Sequence, residues 1–89
     1  MVMSKIPVYF MPGLAASPTI FENIKLPEDQ FEMHFLEWFL PNDKESIESY
    51  ALRMTEKIHD ENPVLIGVSF GGVLVQEMAK QMKVRKVII

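Results

Sequence analysis

Chemistry in this chain is concentrated at three residues of fixed spacing, Gly67-x-Ser69-x-Gly71, followed directly by Gly72. A serine held on a sharp strand-to-helix turn stands clear of the sheet, with its hydroxyl free to attack a carbonyl carbon; this arrangement is the nucleophile elbow. The glycines have a steric reason. A backbone that reverses so tightly brings the residues two before and two after the serine nearly into contact, leaving no room for a side chain at either. Gly72 is expected to extend the same freedom by one residue. Amides at the start of the helix after the serine would face negative charge developing on a substrate oxygen.

Three fixed positions of common residues arise by chance in roughly 3% of chains this short, so the flanking elements carry the weight. Val64-Leu65-Ile66 runs into the motif as a buried strand, and the segment from about Gly71 to Met82 continues it as a helix, with Leu74, Val75, Met78 and Met82 as its buried stripe. The competing reading is a tight turn in an ordinary strand-helix-strand unit, with Ser69 only capping the helix.

The elements that must position this turn alternate along the whole chain. Ile6 to Met11 reads as a strand closed by Pro12-Gly13, with Pro7 near its start, where a missing amide costs little. Ser17 as N-cap and Pro18 as first helical residue predict a brief helix to about Ile24, burying Ile20, Phe21 and Ile24. Phe31 to Phe39 supplies a second strand. Glu45 to His59 is amphipathic, with Ile47, Ala51, Met54 and Ile58 at helical spacing, acids in the first turn, and Lys57 and His59 in the last. Val64 to Val68 is the third strand, and Val84 to Ile89 begins a fourth.

Strict alternation predicts an α/β fold of three αβα layers around a four-stranded parallel sheet in the order 2-1-3-4. The order places a switch point between the first and third strands, where ligands bind outside the carboxyl ends. The loops Pro12–Ser17 and Val68–Gly72 meet there. Topology and motif therefore choose one site.

Composition bounds the function. The chain has 89 residues, 48% of them hydrophobic, and a net charge of −3. That is one small folded domain, with no electrostatic reason to bind nucleic acid. The late cluster Lys80, Lys83, Arg85 and Lys86 reads as a helix end and its loop. There are no cysteines, hence no disulfide or thiolate metal site. No signal peptide or membrane span is legible, and the expected location is the cytoplasm.

The elbow Gly67-Val68-Ser69-Phe70-Gly71-Gly72 and its setting resemble the N-terminal half of an α/β-hydrolase, over the whole of residues 1–89. The resemblance implies Ser69 as nucleophile and an oxyanion hole made by two backbone N–H groups, those of Phe70 and Leu14, the latter just past Pro12-Gly13. Where the family usually has a histidine before that glycine, this chain has Pro12. In the family an acid and a histidine follow on later strands, so the resemblance implies that both lie outside this sequence, which would end inside the domain. The isolated chain is then expected to be inactive.

Neither histidine is an obvious substitute. His34 lies inside the second strand, and His59 at a helix end where it complements the dipole. Their spacing carries no metal signature, and no cofactor is expected. Glu37, near the end of the second strand, is the acid closest to the rim. Met11, Trp38 and Phe70 are candidates for an apolar acyl pocket, with core packing the competing reading for each. The implied activity is hydrolysis of a carboxylic ester or related acyl compound. An acyltransferase or thioesterase on the same scaffold, and a non-catalytic binding module whose exposed fourth strand invites self-association, are the alternatives.

Overall fold

The central strand, β1 (Ile6–Met11), sends successive side chains to opposite faces, and both faces are buried. Tyr9 and Met11 join one apolar cluster while Val8 and Phe10 join another, so the sheet is covered on both sides, as its unbroken apolar run demands. The structure is a computed structural model and describes residues 5–14, 16 and 18–89.

Four parallel strands form one sheet in the order β2-β1-β3-β4, with β2 at Phe31–Phe35, β3 at Val64–Gly67 and β4 at Lys86–Ile88. The α/β class, the parallel sheet and the order 2-1-3-4 are those predicted. Pro7 pairs only with β2; β3 joins the ladder from Val8, so the absent amide falls where one neighbour is missing.

Helices α1 (Ile47–Thr55) and α2 (Phe70–Ala79) lie on the same face. Tyr50, Ala51 and Met54 of α1 meet Leu74, Val75 and Met78 of α2 over Tyr9, Met11 and Leu65, all nearly inaccessible to water. Full burial of the larger of these, such as Leu65, Leu74 and Met78, contributes about 1.5–3 kcal/mol each. The other face is thinner. A 3-10 turn at Pro18–Phe21 places Phe21 against Phe10, with ring centroids 5.1 Å apart.

The first strand spans the predicted residues, whereas the other elements are shorter than the periodicity predicts, several of them for a visible local reason. The N-cap of α1 is Ser46, whose side chain accepts from the Ser49 N–H, so Glu45 stays outside the helix. The chain after Thr55 tightens into i→i+3 bonds, with Lys57 N–H to Met54 and Ile58 N–H to Thr55, which leaves His59 beyond the helix and away from its dipole. β2 ends at Phe35 because the Leu36 N–H makes the last bond to β1, at Phe10, and β1 then turns at Pro12. Of the three apolar residues expected beneath the first helix, only Phe21 is buried; Ile20 and Ile24 stand 49% and 39% exposed, since one 3-10 turn offers a single inward position. The Ser17 cap lies outside the described residues. Among the described residues no helix is long and apolar enough to cross a membrane.

Candidate functional site

β3 delivers the chain to the elbow in register with β1, the last ladder bond running from Val68 N–H to the Met11 carbonyl at 3.1 Å. The reversal follows at once, with Gly71 N–H to Val68 O and Gly72 N–H to Ser69 O, both 2.9 Å. Ser69 absorbs it, with φ 57° and ψ −126°. This left-handed backbone costs an L-residue of order 1–3 kcal/mol. No glycine in the chain has a positive φ. The motif glycines therefore supply space, and the serine carries the strain.

That space is used unequally. A Cβ on Gly67 would stand 2.6 Å from Gly72 Cα and collide with the Gly71 carbonyl, the close approach predicted across the serine. A Cβ on Gly71 would stand 2.5 Å from the Met11 carbonyl oxygen and strike that of Pro12. Gly72 differs from expectation. Its Cβ would press on the Ile89 side chain, at 3.2 Å, and reach the Gly67 carbonyl oxygen only at ordinary contact distance, 3.5 Å, so what it crowds is a side chain.

Although Ser69 occupies the cap position of α2, its side chain makes no capping bond. The residue is exposed. An ordinary capping serine would adopt an extended backbone and accept from the second or third helical amide, so the capping reading does not describe this residue. Its hydroxyl is left available.

The first loop comes to the same place. A Cβ on Gly13 would lie 3.5 Å from Ser69 Cβ. Neither Leu14 N–H nor Phe70 N–H has a hydrogen-bond partner among the described residues, which leaves both amides open as donors. The Leu14 and Phe70 side chains, 64% and 41% exposed, line an apolar cavity of about 290 Å³ together with Trp38, Phe39, Ile47 and Tyr50. Ser69 itself does not line it. Met11 is fully buried in the core, so of the three acyl-pocket candidates only Trp38 and Phe70 reach the cavity.

Trp38 is the residue that sequence reasoning undervalued. Its indole N–H donates to the carbonyls of both Pro12 and Gly13, at 3.0 and 2.9 Å, and its ring stacks on Phe70 at 5.7 Å. Behind it, the Tyr50 hydroxyl donates to the Phe39 carbonyl at 2.6 Å and accepts the Phe39 N–H at 2.9 Å, fixing the chain that carries the tryptophan. Arg53 stacks over Phe39 at 4.4 Å and pairs with Glu45 at 2.6 Å. Hydrogen bonding from Arg53 is the largest influence on Glu45, holding its carboxyl down at about 2, and the same bond raises the Arg53 guanidinium. An isolated tryptophan in a strand-like run announces none of these partners.

The histidines are elsewhere. His34 and Leu65 both pair with Tyr9, so His34 is level with a residue four before Ser69 and two strands away; strand rise and spacing make that on the order of 15 Å. It stacks on Tyr9 at 4.5 Å, with Nε2 2.6 Å from Glu32 and 3.5 Å from Asp60. The Tyr9 hydroxyl donates to Asp60 at 2.6 Å, and burial first, then this bond, pushes its pKa up to about 12. His59, through its N–H, donates to the Tyr9 hydroxyl at 3.4 Å. Both histidines and Glu37 line a separate cavity of about 490 Å³ that contains neither Leu14 nor Phe70. Glu32, His34 and Asp60 offer donor atoms within 4.8 Å of one another, the group best placed to hold a metal ion among the described residues. Glu32 and His34 share a strand face at i, i+2; Asp60 comes from a distant loop, which no local spacing reveals.

In comparisons with known proteins, the chain matches no family model, no curated protein and no solved structure.

Proposed function

We propose that this chain carries the nucleophile and oxyanion hole of a serine hydrolase acting on a carboxylic ester or related acyl compound, on a scaffold of the α/β-hydrolase type. The observation that supports it best is the Ser69 backbone, at φ 57° and ψ −126°, with the hydroxyl free of any cap bond. Strain of this kind is retained where a side chain must be presented. In the reaction Ser69 Oγ attacks the carbonyl carbon, and the N–H groups of Leu14 and Phe70 receive the oxyanion. The tetrahedral intermediate then expels the alcohol or related leaving group, which takes up the proton that Ser69 gave to the base, and water cleaves the resulting acyl-Ser69 ester, releasing the acid and restoring the hydroxyl.

A serine needs a base to be an effective nucleophile. His34 and His59 line the other cavity, so the reading requires a histidine and its acid from outside these 89 residues. The same half-site would serve an acyltransferase or thioesterase, which differ in the acceptor. The test is a fluorophosphonate probe on the protein as cells make it. An adduct on Ser69, abolished by Ser69→Ala, is expected. Its absence in the folded protein sinks the proposal and favours the second reading, a non-catalytic binding module, motivated by the lack of a histidine among the described residues lining the cavity of Leu14 and Phe70.

A further inference from the structure

Of the two oxyanion donors, the Phe70 amide is fixed by its helix, whereas the Leu14 amide belongs to a loop with no helix or strand to orient it. Something else must set its direction. The Gly13 carbonyl and the Leu14 N–H are two ends of one planar trans peptide and point in opposite directions. Whatever grips the carbonyl aims the amide. The Gly13 carbonyl accepts from the Trp38 indole N–H at 2.9 Å and from the Ala16 N–H at 2.9 Å, and the same indole reaches the preceding carbonyl, of Pro12, at 3.0 Å. Two successive peptides are thus held by one rigid donor. The indole itself cannot drift, being stacked on Phe70 at 5.7 Å and tilted against Tyr50 at 5.6 Å.

We propose that Trp38 is a positioning residue of the oxyanion hole, which turns the Leu14 N–H toward its working direction by holding the Gly13 carbonyl from the opposite side. The inference rests on the hydrolase reading of Ser69. It assigns the tryptophan a role beyond packing: an aromatic ring of the same size without the N–H would keep the stack and lose the aim. Preorganised donors matter because they need no reorientation as charge develops. A loop amide released from its restraint must be reoriented in every turnover.

The experiment compares the full-length protein with Trp38→Phe and with benzothienylalanine at position 38, an isostere that lacks only the N–H. The readouts are fluorophosphonate labelling of Ser69, kcat and KM for p-nitrophenyl butyrate, and inhibition by butylboronic acid, which mimics the tetrahedral adduct. Removing an oxyanion donor outright costs roughly 100- to 1,000-fold in kcat, so misdirecting one should cost roughly 10- to 100-fold. The boronic acid should weaken in parallel while KM holds, because the loss falls on the transition state. Unchanged kcat and boronic acid inhibition in the isostere, whatever happens to thermal stability, overturns the positioning role and leaves the hydrolase reading intact. A wild-type protein that takes no probe at Ser69 overturns that reading, and the role of Trp38 with it.

Discussion

Gly71 lies flat against the main chain of Met11, so close that a Cβ added to it would stand 2.5 Å from the Met11 carbonyl oxygen. The first turn of α2 and the end of β1 are therefore packed backbone to backbone. That contact brings the loop of Leu14 beside the loop of Ser69, and it makes the site depend on glycines that touch no substrate. Gly71→Ala should destabilise the fold by about 3 kcal/mol, because a backbone must move to admit the methyl group. Gly72→Ala should cost under about 1 kcal/mol, since only the Ile89 side chain must give way. Urea denaturation of both variants checks the contrast. Equal losses would show that the crowding is not where the geometry locates it.

Ser69 is expected to trade stability for presentation. Replacing it with glycine relieves a positive φ that an L-residue tolerates poorly, and should stabilise the protein by about 1 kcal/mol, less whatever the unfolded chain gains from glycine's freedom. Ser69→Ala keeps the strain and should leave stability nearly unchanged. The two variants should differ by up to about 1 kcal/mol, and a chemical melt reads that difference. Destabilisation by glycine would mean that the observed backbone is not strained.

Acid should loosen the wall behind Trp38. Glu45, whose side chain is 2% exposed, has its carboxyl lowered from 4.5 to about 2, first by the hydrogen bond from Arg53, with the Asn42 N–H and Ser49 hydroxyl assisting. A depressed carboxyl binds protons more weakly in the folded state than in the unfolded one. Its contribution is therefore complete above about 4.5 and is lost as pH falls through about 2. Urea midpoints measured down this range should fall more steeply for the wild type than for Glu45→Gln. Parallel curves would remove Glu45 from the account.

How far the sequence was legible follows from what kind of signal each feature leaves. Apolar runs and their alternation with helical stripes are local, and they were enough to predict the strand order and the meeting of the two loops. Ends were less legible. Glu45 has the composition of a first helical turn, yet its carboxylate is taken by Arg53, Ser49 and Asn42, and Ser46 becomes the cap. Gly72 looked equivalent to Gly67 and Gly71 because spacing cannot tell a backbone neighbour from a side chain. Trp38 could not be distinguished from core, since its partners Pro12 and Gly13 lie 26 and 25 residues away. The Tyr9, His34 and Asp60 cluster was hidden for the same reason, its hydroxyl-to-carboxylate bond spanning 51 residues.

The open edge of the sheet yields the last prediction. β4 has three residues and, among the described residues, pairs only with β3, through Lys86, Val87 and Ile88, so its outer edge has no described strand beside it. Ile88 and Ile89 are 41% and 74% exposed there. An unpaired apolar edge is a template for another chain, and the one charge on this edge strand, Lys86, is the feature that opposes it. A polypeptide of residues 1–89 should therefore show a weight-average mass that rises with concentration in sedimentation equilibrium. Ile88→Lys adds a second charge at the edge and removes apolar surface without touching the buried cluster, so it should shift the equilibrium toward monomer. A wild-type chain that stays monomeric across the concentration range would show that Lys86 and the shortness of β4 suffice to protect the edge. A variant that associates as readily as the wild type would move the contact elsewhere, and the exposed side chains of Leu14 and Phe70, which line one apolar cavity, would be the next to mutate.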